Sequence, residues 1–393
     1  MPETEGDALL SGVRTWTGEE ARALRHALRL SVRAFAERLG IATRTVSKWE
    51  AGGRAVQPRP HMQAILDTAL AQAADDAKVR FEVAISAIPP AVNHVVSAID
   101  DDATAELREW LRSSAAVDTE ALLLLAGQAD RIREFDRMFG ARSAESLMSG
   151  YLSTLKQLRA YAVAPNQREA LADLYADAAA LAGWQTLDLG QLAVSWHHYE
   201  AAKDAGREGR SRSALVHAMA EQAYVLLDLG ENARASELAT YARSVAKTSV
   251  PELLQAWLLA VEGETRAVAG DAYQTQRAFD AAQSLLPNET VHPDLPYIVL
   301  DEHHLSRWRG SALASLGEAT AIDELGTALQ RLDATFNRAR AGLHVDLAQA
   351  FVATNQQTEA REQLKRAGRL ADRVGSARQR RRIQRLHAVL PAG

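Results

Sequence analysis

The sequence TRTVSK at positions 43–48 carries five side chains that can donate hydrogen bonds. Hydroxyl, guanidinium and ammonium groups suit the base edges and phosphates of DNA, and an arginine can grip a guanine through two parallel hydrogen bonds. The five residues are Thr43, Arg44, Thr45, Ser47 and Lys48. This chemistry needs an element that presents the side chains on an exposed face, and a short helix would do so.

Three short helices are predicted around this stretch, over about 17–30, 32–39 and 43–50. Thr17 and Glu20 form a capping box that begins the first helix, and Ser31 begins the second. Gly40 supplies a left-handed turn before the third. The residues that fall between the second and third helices are apolar, as a helix-turn-helix requires: Phe35, Ala36, Leu39, Ile41, Val46 and Trp49.

Charge is distributed unevenly along the chain. Residues 14–70 contain ten Arg or Lys and five Asp or Glu, so this segment is near +5, while the whole chain of 393 residues is at −5. The remainder is therefore near −10. A basic segment on an acidic body indicates an anionic partner for that segment alone.

Residues 16–70 resemble the Xre/Cro/C1-type helix-turn-helix domain, with VSKWEAG at the end of its recognition helix. The resemblance implies a five-helix, lambda-repressor-like domain that binds double-stranded DNA. It implies that the polar residues of positions 43–48 read bases and that Arg33, Arg54 and Arg59 lie on the phosphate backbone. The family often has Gln where this chain has Val32, and Arg33 is the expected substitute. A helical hairpin used only for protein contacts is the alternative.

A repeat organises the second half of the chain. Five times, a small residue is followed seven positions later by Gly or Asn: Gly183/Gly190, Ala223/Gly230, Gly263/Gly270, Gly310/Gly317 and Ala348/Asn355. A small residue allows close approach of two helices, and Gly or Asn ends a helix in the left-handed region. The pattern resembles the tetratricopeptide repeat over about 167–373, with longer copies than usual.

In such repeats the first helix of each hairpin lines a concave groove, so the repeat register predicts a binding surface. Its effector is expected to be a small molecule, a peptide or a protein partner, although no predicted groove position is Asn, the residue with which peptide-sensing regulators of this architecture typically hold a peptide. The predicted groove residues are Asp177, Trp184, His217, Tyr224, Asp228, Trp257, Glu264, His304, Arg307 and Gln349.

The predicted organisation is all-α, with a flexible tail over 1–13, a helix-turn-helix domain over 14–73, a helical region over 74–165 and a tetratricopeptide-like superhelix over 166–393. In the third part, Pro89 and Pro90 interrupt the helical pattern, and Asp118 and Ser143 are predicted to cap helices over 119–139 and 144–163. This part is either a set of degenerate repeats or a dimerisation region. The basic C-terminal helix is predicted to cap the superhelix with a solvated face.

Several function classes are not indicated. The chain has no Cys, no apolar run of membrane-spanning length and no P-loop, dinucleotide fingerprint or nucleophile elbow. Adjacent histidines, as in DEHH (301–304) and HHYE (197–200), point about 100° apart on a helix, so we expect no metal site and no cofactor.

We therefore expect a cytoplasmic, non-enzymatic transcription regulator that acts as a homodimer. Its Arg- and Ala-rich composition is typical of a bacterial genome of high GC content. An interaction scaffold, in which the helix-turn-helix is a docking or weak DNA-tethering module, is the alternative.

Overall fold

The computed structural model describes residues 16–86 and 95–391, apart from positions 293, 296 and 334. Within these ranges the chain forms nineteen α-helices and one 3-10 turn, and no β-strand. The chain divides between Thr104 and Ala105 into two compact units, here unit 1 and unit 2. None of the helices in the described ranges is long and apolar enough to cross a bilayer. The predicted tail (1–13) and the Pro89-Pro90 break lie outside the described residues.

Unit 1 contains five short helices: α1 (Gly18–Ala27), α2 (Val32–Leu39), α3 (Thr43–Gly52), α4 (Pro60–Ala71) and α5 (Asp75–Ser86). A longer helix, α6 (Val95–Ala115), crosses the division between the units. The capping box at Thr17 is confirmed, as is the Ser31 cap, whose hydroxyl accepts from the Ala34 amide at 3.1 Å. Gly40 has the predicted left-handed backbone, with φ +68°.

Two predicted helix ends in unit 1 are wrong by two or three residues. The first helix ends at Ala27 rather than near Leu30, because Arg29 adopts a left-handed φ of +56° that breaks the helical path. The third helix runs two residues beyond Glu50 and stops where Gly53 turns to φ +50°.

The core of unit 1 is aromatic and encloses the inner faces of α2 and α3. Phe35, Val46 and Trp49 are buried where those helices meet. Trp16 stacks on Phe81 of α5, with ring centroids 5.5 Å apart, so α5 packs into this core although its sequence lies in the region predicted as a linker.

Unit 2 is a series of antiparallel hairpins: α7 (Thr119–Phe139), α8 (Ala141–Tyr161), α9 (Pro165–Asp188), α10 (Leu192–Glu208), α11 (Arg212–Leu229), α12 (Asn232–Ala246), α13 (Glu252–Val268), α14 (Ala272–Leu285), α15 (Glu302–Leu316), α16 (Ala321–Arg331), α17 (Asn337–Ala353), α18 (Gln357–Val374) and α19 (Ala377–Val389). The Asp118 cap of α7 is confirmed, with a 2.9 Å bond from the Ala121 amide. The predicted Ser143 cap is wrong: α8 begins at Ala141 because Gly140 makes the turn, at φ +86°.

The repeat pattern has the predicted structural role. All five turn residues have positive φ: Gly190, Gly230, Gly270, Gly317 and Asn355. The small residues lie at close helix contacts. A Cβ at Gly263 would lie 2.7 Å from the Phe279 ring, and one at Gly183 would lie 2.8 Å from the Tyr199 ring. The two helices of each hairpin, α9/α10 and α13/α14, can therefore approach this closely only with glycine there.

Unit 2 closes on itself through a buried ion cluster. Arg338 of α17 donates two hydrogen bonds, of 2.8 and 2.6 Å, to Asp136 of α7. Its Nε also lies 3.0 Å from Asp188 Oδ2 of α9, an ion pair in which the N–H is not aligned for a hydrogen bond. The first hairpin of the series thus contacts the last.

The basic helix α19 is not simply solvated. It packs against α9, α17 and α18 and buries Gln379 and Ile383. Arg378 pairs with Asp228 at 2.9 Å, and Arg382 pairs with Asp346 at 2.5 Å. The prediction of a solvated basic face is wrong for these arginines, because carboxylates on the inner helices neutralise them.

Candidate functional site

Helix α3 presents a polar face because its apolar residues point to the core. Val46 and Trp49 are buried, which turns the intervening positions outward. Thr43, Arg44, Ser47 and Lys48 are exposed, and Thr45 is half-buried at the edge of the face. The structure thus places four of the five predicted base-reading residues in solvent on one helix.

The predicted cations of unit 1 differ in what surrounds them. Among the described residues, no carboxylate lies within ion-pairing distance of Arg44, Lys48 or Arg59. Arg33 pairs with Glu37 at 3.1 Å, but both side chains are largely exposed, so the pair is weak and open to competition. Arg54 is more constrained because it is half-buried and pairs with Glu19.

An ion pair that the sequence pattern did not indicate attaches α3 to α1. Arg25 donates to both oxygens of Glu50, at 2.6 and 2.9 Å, and to the Leu30 carbonyl at 2.9 Å. The hydrogen bond to Glu50 raises the pKa of Arg25 above its ordinary value. Both side chains are close to nine-tenths buried. This contact fixes the end of α3 and thereby the direction of its polar face.

Unit 2 contains a cavity of about 250 Å³ with aromatic walls. Side chains from α7, α9, α11, α13 and α15 and from residues 297–299 line it. Five of the predicted groove residues lie here: Asp177, Trp184, His217, Tyr224 and Trp257. The lining also includes Arg133, Leu181, Glu221, Tyr297, Ile298, Val299 and Trp308, which were not predicted.

The other five predicted groove residues do not line this cavity. Asp228 pairs with Arg378, Glu264 accepts a hydrogen bond from the Tyr224 hydroxyl, and the His304 amide donates to Asp301 at 2.7 Å. Arg307 and Gln349 are half-buried on α15 and α17. The cavity therefore occupies only one part of the predicted surface.

The charged groups in the cavity wall have strongly shifted protonation. Burial, aided by the nearby Asp177 charge, raises the pKa of Glu221 to about 8. Burial and the Arg133 charge lower the pKa of His217 to about 3, so this imidazole is neutral at pH 7. Beside the cavity, burial raises the pKa of Glu264 to about 7. A carboxyl group whose pKa lies near 7 or 8, in a cavity with aromatic walls, is typical of a binding site.

The histidines of the 301–304 motif have structural contacts. Asp301 caps α15 by accepting a hydrogen bond from the His304 amide, the His304 ring lies 2.8 Å from the same carboxylate oxygen, and His303 lies 3.0 Å from Arg331 Nη1. Within the described ranges, no group of three His, Asp or Glu residues is arranged to hold a metal ion.

Comparison with protein families identifies one module. A family model described as a helix-turn-helix domain matches residues 16–78. The chain contains a helix-turn-helix domain. The match covers α1 to α4 and the beginning of α5, and therefore includes the exposed face of α3. No curated protein matches the chain. The helix-turn-helix domain supports DNA binding by unit 1.

The unpredicted residues of the cavity carry a signal in the repeat register. Leu181, Glu221 and Trp308 occupy one repeat position, each four residues after a predicted groove residue. Residues four apart share a helix face, so this row could have been included from the sequence. Tyr297 lies in the Pro-rich loop after α14, where no periodicity indicates its direction.

Proposed function

We propose that the chain is a cytoplasmic, sequence-specific DNA-binding transcription regulator without enzymatic activity. One observation carries this proposal: within the helix-turn-helix domain, α3 exposes Arg44 and Lys48 beside the hydroxyls of Thr43 and Ser47, and no carboxylate of the described residues lies within ion-pairing distance of either cation. Unpaired cations beside hydroxyl donors suit the major groove, where base edges and phosphates are accessible together.

Within this proposal, the residues have distinct roles. Arg44 and Lys48, with Thr43, Thr45 and Ser47, read base edges. Arg33, Arg54 and Arg59 contact phosphates, Arg33 after release of its weak pair with Glu37. An Xre-type reader of this size buries little DNA surface alone, so a homodimer on two half-sites is the expected form.

Unit 2 is proposed to be a tetratricopeptide-type sensor of an effector. The five hairpins with left-handed turn residues and glycine contacts support that repeat type. The aromatic cavity supports a bound ligand. Regulation then follows from differential affinity: an effector that binds one arrangement of the hairpins more tightly shifts the population toward it.

The test is selection of bound duplexes from a random DNA pool by the full chain. The variant is Arg44→Ala/Lys48→Ala. The control is Arg22→Ala/Lys156→Ala, which removes the same charge from exposed positions on α1 and α8. We expect the wild type and the control to enrich one two-fold symmetric motif, and the variant to lose it. If Arg44 grips a guanine, its loss costs about 1–3 kcal/mol of discrimination.

Salt titration separates reading from tethering. Each lost phosphate contact reduces the slope of log affinity against log salt by about 0.9. Failure of the wild type to enrich any motif, together with a salt response equal to that of the variant, would contradict the proposal. That result would favour the scaffold function, in which the helix-turn-helix docks or tethers.

A further inference from the structure

The wall of the cavity in unit 2 contains more acidic than basic groups once its ion pairs are considered. Arg133 is the cation in its wall, and it pairs with Asp177 and, at 2.8 Å, with Asp130. Its charge is therefore already balanced by two carboxylates. His217 adds no positive charge because burial keeps its imidazole neutral.

Glu221 is the acid that these pairs leave without a cation. Among the described residues, no Lys or Arg lies within ion-pairing distance of it, and its nearest basic atom is His217 Nε2 at 3.7 Å. Its side chain is 15% exposed, and it lines the cavity. Burial without a counter-ion raises the pKa of this carboxyl, so it holds its proton near pH 7. A cationic ligand beside it would favour loss of that proton and would pair with the carboxylate that forms.

The surrounding rings favour the same charge. Trp257 lies between His217, with centroids 4.9 Å apart, and Trp308, with centroids 6.1 Å apart in an edge-on arrangement. The Tyr297 ring also packs on His217, with ring centroids 4.1 Å apart. Indole and phenol faces attract cations through their quadrupoles, most strongly where water is excluded.

The protein already places a cation of its own on two rings of this cavity. The Arg378 guanidinium lies 5.6 Å from the Trp184 ring and 5.7 Å from the Tyr224 ring. Asp228 then pairs with Arg378 at 2.9 Å, so aromatic rings and a carboxylate hold this cation together. Glu221, Trp257 and Trp308 supply the same two kinds of group, a carboxyl and aromatic rings, to the lining of the cavity.

Two other ligand classes fit the lining less well. An anion would meet Glu221 and Asp177 and find Arg133 already paired. A peptide backbone is best satisfied by side chains that both donate and accept hydrogen bonds, and the described residues of the lining include no Asn, Gln, Ser or Thr. The cavity volume is slightly below the usual range of small-molecule pockets, which indicates a ligand of few heavy atoms.

We propose that this cavity binds a small organic ammonium ion, with its positive charge beside Glu221 and its alkyl or aryl groups among Trp257, Tyr297 and Trp308. This inference rests on the proposed sensor function of unit 2 and names the class of its effector.

The test is isothermal titration of the full chain, without DNA, with a panel of probes from tetramethylammonium to choline and benzyltrimethylammonium. The neutral isostere of choline, 3,3-dimethylbutan-1-ol, and the anion benzoate are the comparison ligands. We expect saturable binding of at least one cation, at least tenfold tighter than binding of the alcohol or of benzoate.

Variants assign the site. Glu221→Gln keeps the shape of the side chain and should weaken cation binding at least tenfold, while binding of the alcohol stays unchanged. Trp308→Phe, at a half-buried position, should weaken the cation several-fold. Glu237→Gln makes the same substitution on an exposed face of α12 and should have no effect. Thermal unfolding of each variant checks that the fold is retained.

The outcomes separate this inference from the proposed function. No cation binding at 10 mM, or equal binding of choline and its neutral isostere, would overturn the inference even if the DNA selection succeeds. Cation binding that needs Glu221 supports the inference even if no DNA motif is enriched, in which case the regulator function fails alone.

Discussion

Replacement of Arg338 by methionine should open the closed arrangement of unit 2. The guanidinium holds two carboxylates that are almost fully buried: the side chains of Asp136 and Asp188 are 4% and 3% exposed, and that of Arg338 is 14% exposed. Burial alone would lower the pKa of Arg338, but the two carboxylates raise it above its ordinary value. The cation is therefore charged under all physiological conditions, and its removal leaves two buried acids without a partner.

The expected cost is large for a single substitution. Removing one member of a buried ion pair costs about 3–5 kcal/mol, because the remaining charge stays desolvated. With a urea dependence of about 3 kcal/mol per molar, the midpoint of unfolding should fall by roughly 1–1.7 M. The matched control is Arg366→Met, which breaks the half-exposed pair with Glu362 and should cost at most about 0.5 kcal/mol.

Two measurements check this prediction. Urea unfolding followed by circular dichroism gives the loss of stability, and hydrogen exchange should locate the loss of protection in α7 and α17, the helices that Arg338 joins. The combined variant Asp136→Asn/Asp188→Asn/Arg338→Met should recover much of the loss, since no unpaired charge remains. A loss below 1 kcal/mol for Arg338→Met, or no recovery in the combined variant, would refute the electrostatic reasoning.

Two further predictions concern helix contacts and pH. Gly263→Ala should destabilise unit 2 by about 1–3 kcal/mol in urea unfolding, because the new Cβ would lie 2.7 Å from the Phe279 ring. The stability of unit 2 should fall as pH rises from about 6.5 to 8, because Glu221 and Glu264 keep protons in the folded state that they lose on unfolding. The loss is up to about 1.4 kcal/mol per pH unit for each protonated group: both carboxyls contribute up to about pH 7, and Glu221 alone contributes from there to about pH 8.

Each of these has its own control. Gly368→Ala, at a helical position with no atom near the new Cβ, should be neutral or stabilising by about 0.5–1 kcal/mol. An equal loss of stability at both glycines would mean that the Phe279 contact is not the cause.

Glu221→Gln should reduce the pH dependence of the stability of unit 2, and an unchanged pH profile would contradict the assigned protonation of Glu221. Below pH 6.5, His217 makes stability fall as pH falls, because its buried imidazole cannot take up the proton that the same residue binds in the unfolded chain.

Much of the candidate DNA surface was accessible from the sequence because helix periodicity determines it. Once Val46 and Trp49 are assigned to the core, the 100° step between residues sends Arg44, Ser47 and Lys48 outward. The pair of Arg25 and Glu50 was not accessible, because it joins residues 25 positions apart and no repeating pattern relates them.

The cavity was accessible only in part. His217 and Tyr224 follow from the repeat register, and the same register contains Glu221 between them. The protonation of Glu221 cannot be predicted from the sequence, because it depends on burial and on the charge of Asp177 from another helix.

The sequence by itself determined which segments form helices, where several of them end and where two helices pack closely. Gly190, Gly230 and Asn355 end helices because the left-handed region is a property of a single residue and its backbone, and Gly263 marks a close contact because it lacks a Cβ. Tertiary structure alone decided that the first and last hairpins meet and that Arg378 and Arg382 of the basic C-terminal helix pair with inner carboxylates. Arg338 and Asp136 are 202 residues apart. Such contacts depend on the accumulated geometry of all the hairpins between them, and that geometry leaves no local pattern in the sequence.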